Sequence, residues 1–381
     1  MKLITTLLVM TVGALTALSL TMLTSATMLD RVPEATLMSQ AAACVVGVAG
    51  MLLAASLDHR RWMNWSWPVY GGTVLLLLLI FVFGHEAKGA RRWLWGMQPA
   101  ELAKLALIVV LSAHGARRML RMQRFWDGIV LSMLMAFPLI GLVLLEPDRG
   151  TAALLVGMTV ILLLLGGVRW WHVAVPAAAG VMAIGVMILV SPMAQKRLEA
   201  WRNPEQHRDD SGLQTHRGLL AFGGGGIEGR GLGRGTLKYN VPEVHTDFIL
   251  PAVGEELGLT FTLSVVVAYL VILWCGATVA LRSSDRFGQL LAAGITFLIC
   301  AQAVVNIGVV TAVFPNKGMP LPFVSRGGSN LVVLLTLVGM LISVARAAAE
   351  EPFVPEEPGE SKGRGRRNPF STGTDFAEAS R

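Results

Sequence analysis

Between Phe222 and Gly258 the chain reads FGGGGIEGRGLGRGTLKYNVPEVHTDFILPAVGEELG, its longest polar run between apolar segments. Arg230, Arg234 and Lys238 lie among the glycines, His245 and Asp247 follow, and Glu255 and Glu256 stand where the next apolar segment begins. Charges at a hydrocarbon edge are costly and mark functional sites by default. Glycine turns expose backbone N–H groups, and with interleaved cations they can hold an anion. A plain flexible loop accounts for the glycines alone equally well. Gly229 to Gly235 lacks the G-x-G-x-x-G spacing and the strand-to-helix setting of a dinucleotide loop, which excludes that reading.

Two further clusters stand at the start of apolar runs. Gln98-Pro99-Ala100-Glu101-Leu102-Ala103-Lys104 opens one of them. Proline suits a first helical turn, and Glu101 and Lys104, three apart, share a helix face and can pair. Together they enter a bilayer at far lower cost than either alone. A buried structural pair and a substrate contact are equally good accounts of them. The second cluster is Glu146-Pro147-Asp148-Arg149-Gly150-Thr151. Asp148 with Thr151 fits a helix N-cap. Glu146 has no such explanation, because it ends an apolar helix where the dipole disfavours an anion. Arg149 is expected to pair with Asp148 or Glu146. Near the C-terminal end, the segment from Asn306 to Asn330 mixes prolines and glycines with apolar residues and carries Lys317, Ser325 and Arg326. That composition suits a re-entrant loop lining a cavity, where irregular backbone is tolerated at membrane depth.

The elements that must position these residues are membrane spans. The 381-residue chain is 54% apolar and only 15% charged, where a soluble domain carries roughly a quarter charged residues. The fold class is all-α, a polytopic integral membrane protein. Ten spans of about 20 residues are expected near 3–24, 36–57, 68–84, 99–119, 127–145, 151–168, 171–190, 250–281, 288–313 and 329–349. The first is too long for a signal-peptide core and no A-x-A site follows it, so it reads as a retained span. Arg60 and Arg61, Arg117 to Arg124, Arg169, and Arg282 with Arg286 fall in short loops on one side, which reads as cytoplasmic. Both termini then lie inside. Lys88, Arg91, Arg92, Lys317 and Arg326 break the rule on the opposite side, beside the motifs. Residues 1–349 form one transmembrane domain with an extracytoplasmic segment at about 191–250, between the seventh and eighth spans. Its part from Arg197 to Pro204 looks amphipathic, and Gln214 precedes the glycine run. Residues 350–381 read as a disordered cytoplasmic tail.

The net charge of +7 is explained by cations flanking spans, so nucleic acid is not expected as a partner. A second reading survives beside it, in which cations outside the membrane meet an anionic substrate. Cys44, Cys275 and Cys300 lie in apolar segments without C-x-x-C or Cys/His neighbours, so neither a disulfide framework nor a zinc site is expected.

Taken together, these motifs resemble the SEDS family, the bacterial shape, elongation, division and sporulation proteins. The resemblance runs from about Arg91 to Arg346. It rests on Pro242 to Phe248 with Gly254-Glu255-Glu256-Leu257-Gly258, on Gln98 to Lys104, on Glu146 to Thr151, and on Lys317 to Pro322 through Gly327-Gly328-Ser329. The Gly254-Glu255-Glu256 and Pro315-Asn316-Lys317-Gly318-Met319-Pro320 forms are closer to the division branch than to the elongation branch. Arg149, Thr236-Leu237 before Lys238, and Arg326 depart from the family pattern. The resemblance implies a peptidoglycan glycosyltransferase polymerising lipid II at the outer face of the bacterial cytoplasmic membrane, at the division septum. It implies a class B penicillin-binding protein and other division proteins as partners, in contact with membrane lipid. It places the family's essential aspartate at Asp247, as general base; His245 is the alternative base, otherwise an orienting neighbour, and is counted among the expected substrate contacts. Lys238, Arg230 and Arg234 are expected to stabilise pyrophosphate charge. Glu101, Lys104, Asp148, Gln214, Lys317 and Ser325 are the remaining expected substrate contacts. A divalent cation, Mg or Mn, is the one cofactor such a pyrophosphate would take, though no metal-ligand spacing shows it. Two rival readings stay open: a flippase moving lipid II, and a non-catalytic division scaffold.

Overall fold

The computed structural model describes residues 1–26, 33–87, 90–204, 206–207, 212–237, 241 and 244–350. The expected tail beyond Glu350 and the expected phosphate ligand Lys238 lie outside the described residues. Fifteen named elements follow in order: α1 (Lys2–Ala26), α2 (Pro33–Ser56), α3 (His59–Asn64), α4 (Ser66–Phe83), β1 (His85–Ala87), β2 (Ala90–Trp93), α5 (Pro99–Arg117), α6 (Leu131–Leu145), α7 (Arg149–Gly166), α8 (Trp170–Val190), α9 (Pro192–Arg202), α10 (Leu213–Gly225), α11 (Ile249–Arg282), α12 (Arg286–Val310) and α13 (Gly328–Glu350). Among the described residues nine helices are long and apolar enough to cross a membrane. They coincide with nine of the ten expected spans, and the tenth, expected near 171–190, is the 21-residue α8.

Helix starts follow local chemistry. Asp58, Asp148, Ser191 and Asp285 each accept a backbone N–H from the first turn of α3, α7, α9 and α12, satisfying donors that helix starts leave open. Pro99 opens α5. From Pro99 to Gly115 every α5 residue except Leu102 is buried, because α4, α6, α7 and α12 pack around it. An all-round apolar helix belongs in such a centre. α2 and α13 approach so closely that a Cβ on Gly339 would overlap the Met51 carbonyl. Small residues permit this contact where lipid gives helices no hydrophobic reason to associate.

Two irregular pieces shape the end of the bundle where α5 and α7 begin. α11 is broken at Gly258, whose φ of 80° places it in the left-handed region that glycine enters without penalty. A Cβ there would overlap the Ile227 carbonyl. The segment between α12 and α13 is not helical, yet Leu321, Phe323 and Val324 in it are fully buried. Its carbonyls are satisfied by side chains of neighbouring helices: Tyr269 Oη donates to Pro322 O at 2.5 Å, Gln302 Nε2 to Pro320 O at 2.9 Å, and Asn306 Nδ2 to Met319 O at 2.7 Å. This is the protein-lined irregular backbone expected from its sequence.

Candidate active site

A polar cavity of about 260 Å³ opens where α5, α7 and α13 begin, lined among others by Arg92, Gln98, Glu101, Lys104, Asp148 and Asp247. Its floor is the α5 pair. Lys104 Nζ lies 2.6 Å from Glu101 Oε2 and 3.4 Å from Gln302 Oε1, with both charged side chains almost fully buried. Asp148 caps α7 through Thr151, accepting from its N at 3.2 Å and its Oγ1 at 2.8 Å. The same carboxylate accepts from Gln98 Nε2 at 3.4 Å. Cap and cavity wall are therefore one group.

Asp247 is half-buried just before α11. Its own carbonyl accepts from Asn306 Nδ2 at 2.9 Å, which ties this segment to the 311–327 loop through the same amide that holds Met319. Gly318 stands against its carboxylate so closely that a Cβ would overlap Oδ2. Any side chain there would make the carboxylate shift, so glycine lets the loop approach the acid as it stands. His245 faces elsewhere: its Nε2 lies 3.1 Å from Arg326 Nη1, and its carbonyl accepts from Arg326 N at 2.8 Å. A guanidinium only donates, so His245 Nε2 is an acceptor already engaged by Arg326. That contact also accounts for the arginine that departs from the family pattern.

Next to the polar cavity lies an apolar groove of about 580 Å³ between α7, α9 and α12. Gly157, Phe297, Ala301 and Val305 line its length, and Arg149, Arg197 and Lys317 line its mouth. The two spaces share Leu154 and Met319. Lys317 passes over Gly150, where a Cβ would lie 2.7 Å from Lys317 Cε. Burial pushes the Lys317 amine down to about 8, with Arg197, Arg92 and Arg149 adding to the effect and Asp148 opposing it. Such a crowd of cations is relieved by an anion at the mouth. Arg149 does not turn to Asp148 or Glu146 as expected; its Nη1 donates to Ser191 Oγ at 3.0 Å, bridging α7 to the cap of α9.

Glu146 is 1% exposed. Arg92 binds its backbone carbonyl at 3.0 Å and that of Pro147 at 2.7 Å. Among the described residues neither Glu146 carboxylate oxygen has a hydrogen-bond partner. Burial raises this carboxyl to about 8, with the Asp148 charge adding and Arg92 opposing.

Other expected contacts are placed away from the polar cavity. Arg230 pairs with Glu255 Oε1 at 3.1 Å and lines a separate small pocket with Arg217 and Thr236. The glycine-loop donors go to the protein's own carboxylates. Glu255 accepts from Thr236 N at 2.8 Å and Leu237 N at 2.9 Å, and Glu256 from Gly233 N at 3.0 Å and Gly235 N at 3.2 Å. Ser25 Oγ adds a bond of 2.6 Å to Glu256 from α1. The anions held by the described part of this loop are the protein's own carboxylates, and Arg234 sits in the same turn. Gln214 accepts from Asn316 Nδ2 at 3.2 Å. Ser325 Oγ accepts from Leu321 N at 2.7 Å and locks a turn, whereas Ser329 lines the cavity and accepts from Gln98 N at 3.0 Å.

Arg92, Gln98, Gln302, Arg326, Ser329 and Asn330 line the cavity without having been singled out as contacts. Arg92 and Arg326 had a signal, as cations on the side that should hold few. Gln302 had one as well, as an amide in an apolar helix. Among the described residues no group of three His, Cys, Asp or Glu converges on a metal-binding geometry.

Comparison with known proteins agrees with this layout. Residues 1–350 match the family described as "Cell cycle protein", the FtsW, RodA and SpoVE group. A relative from Geobacter metallireducens, named probable peptidoglycan glycosyltransferase FtsW, is 37% identical over 308 residues, covering 79% of this chain and 82% of that protein. Stage V sporulation protein E of Bacillus subtilis is 32% identical over 79% of this chain and 84% of its own length. Among solved structures, one from a study of polymerization and crosslinking by a peptidoglycan synthase complex superposes with a TM-score of 0.75 at 29% identity, over 90% of this chain and 98% of that one. The rod shape determining protein RodA of Thermus thermophilus gives 0.68 at 29% identity, over 90% and 97%. With the family match spanning residues 1–350, a relative 37% identical over most of both chains, and nine helices long enough to cross a membrane among the described residues, this chain belongs to the FtsW/RodA/SpoVE family of multi-pass membrane proteins.

Proposed function

We propose that this protein is a peptidoglycan glycosyltransferase that polymerises lipid II, acting in cell division at the outer face of the cytoplasmic membrane beside a class B penicillin-binding protein. The observation that carries this reading is the junction of two unlike spaces. The polar cavity holds Asp247, and the adjoining groove is apolar along its length and cationic at its mouth. A lipid-linked pyrophosphate sugar has those same three parts. Its polyprenyl chain suits the groove, its pyrophosphate suits Lys317, Arg149 and Arg197, and its sugar reaches the cavity.

In this reading the Asp247 carboxylate takes the proton from an acceptor-sugar hydroxyl. That oxygen bonds to the donor's anomeric carbon as the bond to pyrophosphate breaks, and the cations stabilise the leaving charge. Asn306 and Gly318 position the acid. Arg326 keeps the nearby imidazole occupied, which favours Asp247 over His245 as the base. Mg or Mn has no converging set of three side-chain ligands among the described residues, so no step is routed through it. Names of relatives and neighbours support the activity and the partner class. The polar cavity and the cationic groove mouth lie together at one end of the bundle, whereas an alternating-access carrier places its site near the midplane.

The test is turnover of labelled lipid II by purified protein with its partner, wild type against Asp247→Asn. A general base contributes about 10²–10⁴-fold, so turnover falls by that factor with thermal stability unchanged. Near-normal turnover would remove Asp247 as base and return the flippase and scaffold readings.

A further inference from the structure

A second groove lies at the opposite end of α5. From Glu101 to Arg117 the helix rises about 24 Å, so this groove is remote from Asp247. It has a volume of about 470 Å³ and runs between α4 and α6 over the last turns of α5, lined by Trp67, Tyr70, Ala113, Leu134 and Met135 on its apolar walls. His114, Arg117 and Arg118 stand at its open end. This is the end that the loop arginines mark as cytoplasmic.

The polar groups here can be accounted for one by one. His114 Nε2 donates to the Asp127 carbonyl at 2.7 Å, and Arg118 pairs with the Asp127 carboxylate. Arg117, exposed, gives Nη2 to the Met63 carbonyl at 2.6 Å. Two arginines against one aspartate leave a net cation, and each guanidinium has five N–H donors. The α5 C-terminus presents the negative end of its dipole, so an anion must be held by the arginines and not by backbone. Trp67 and Tyr70, in the first turns of α4, are the ring types favoured where spans meet lipid headgroups. Loop cations elsewhere at this end attract anionic lipid diffusely. Here, by contrast, they stand beside an apolar slot that runs about 12 Å along α5 from Val110 to Arg118, room for the headgroup-proximal part of a hydrocarbon chain.

We propose that this groove binds one anionic phospholipid of the leaflet opposite Asp247, its phosphate on Arg117 and Arg118 and an acyl chain lying between α4 and α6 over Ala113. Basic pockets between spans at this membrane face are suited to such headgroups. The occupant inserts between the helices that flank central α5, so it sets their spacing at the end away from the cavity.

Native mass spectrometry of the detergent-purified full chain, titrated with phosphatidylglycerol and separately with phosphatidylcholine, tests this. One phosphatidylglycerol is retained in preference to phosphatidylcholine. Arg117→Gln weakens it about fivefold, the worth of one cation near a membrane surface. Arg282→Gln, an exposed cation at the same end but outside the groove, leaves it unchanged. Ala113→Leu, which fills the slot without altering charge, also weakens it. A photoreactive phosphatidylglycerol on the wild type gives the answer independently of variant folding, by labelling α4 and α6. Equal losses in Arg117→Gln and Arg282→Gln, equal retention of the two lipids, or labelling confined to other helices overturns the proposal.

Discussion

Replacing Glu146 by glutamine should stabilise the protein, and by an amount that depends on pH. The Glu146 carboxyl ionises near 4.5 in an unfolded chain and near 8 in the folded one. Below pH 4.5 both states carry the proton and the group is neutral to stability. Above it the unfolded chain loses the proton first, so stability falls as pH rises, and the fall levels off above about pH 8. Each pH step of one over which only the folded chain keeps the proton costs about 1.36 kcal/mol. Wild type therefore loses about 3.5 kcal/mol between pH 5 and pH 8 from this group. The side chain is 1% exposed, but it lies just past the end of α6 with Arg92 opposing the shift, so the figure is an upper bound. Glutamine keeps the shape and cannot ionise. Its own packing cost is the same at every pH and drops out of the comparison. The assay is thermal unfolding of both proteins in one detergent at pH 5, 6.5 and 8. The gap between their midpoints should widen by several degrees in favour of Glu146→Gln. A gap that is constant across the range would show that Glu146 is charged and partnered in the folded protein, and the reasoning from burial would fail.

Three other outcomes are expected. Gly318→Ala sets a methyl against Asp247 Oδ2; displacement of a catalytic group by about 1 Å costs about 10²-fold, so lipid II turnover should collapse while the melting midpoint barely moves, and wild-type turnover would refute the placement. Glu101→Ala strands the buried Lys104 charge and should destabilise by about 3–5 kcal/mol, read as a lower melting midpoint; an unchanged midpoint would mean that the pair contributes nothing to the fold. Reporter fusions at Arg121 and after Glu350 should read cytoplasmic and fusions near Gln214 external, and the reverse pattern would invert the assignment of the two ends.

What the sequence made legible was local. Asp148 and Thr151 are three apart, as are Glu101 and Lys104, so cap and pair follow from helix geometry alone. The spans follow from uninterrupted apolar length. What stayed hidden depends on contacts between distant segments. Nothing in the neighbourhood of His245 announces Arg326, and nothing near Gln98 announces Ser329. Ser325, an expected contact, accepts from the Leu321 N–H in a turn, and it is Ser329 that lines the cavity. For Arg230 the partner is equally remote in sequence: it pairs with Glu255. The glycine loop's acceptors, Glu255 and Glu256, lie some twenty residues on, and only the break at Gly258 lets the loop fold against them.

That arrangement of two carboxylates and a run of glycine-loop donors has a consequence for how this stretch can change length. Surface loops usually absorb insertions and deletions with little cost. Here the donors at Gly233, Gly235, Thr236 and Leu237 are spaced along the chain to meet acceptors fixed on a single helical turn. Adding or removing one residue between Gly229 and Leu237 would shift the backbone donors beyond it past their acceptors, leaving Glu255 chiefly to Arg230 and Glu256 to Ser25. Substitutions that keep the count should be tolerated more readily than any change in the count, so this loop is a poor site for an inserted tag and a good landmark for aligning the chain.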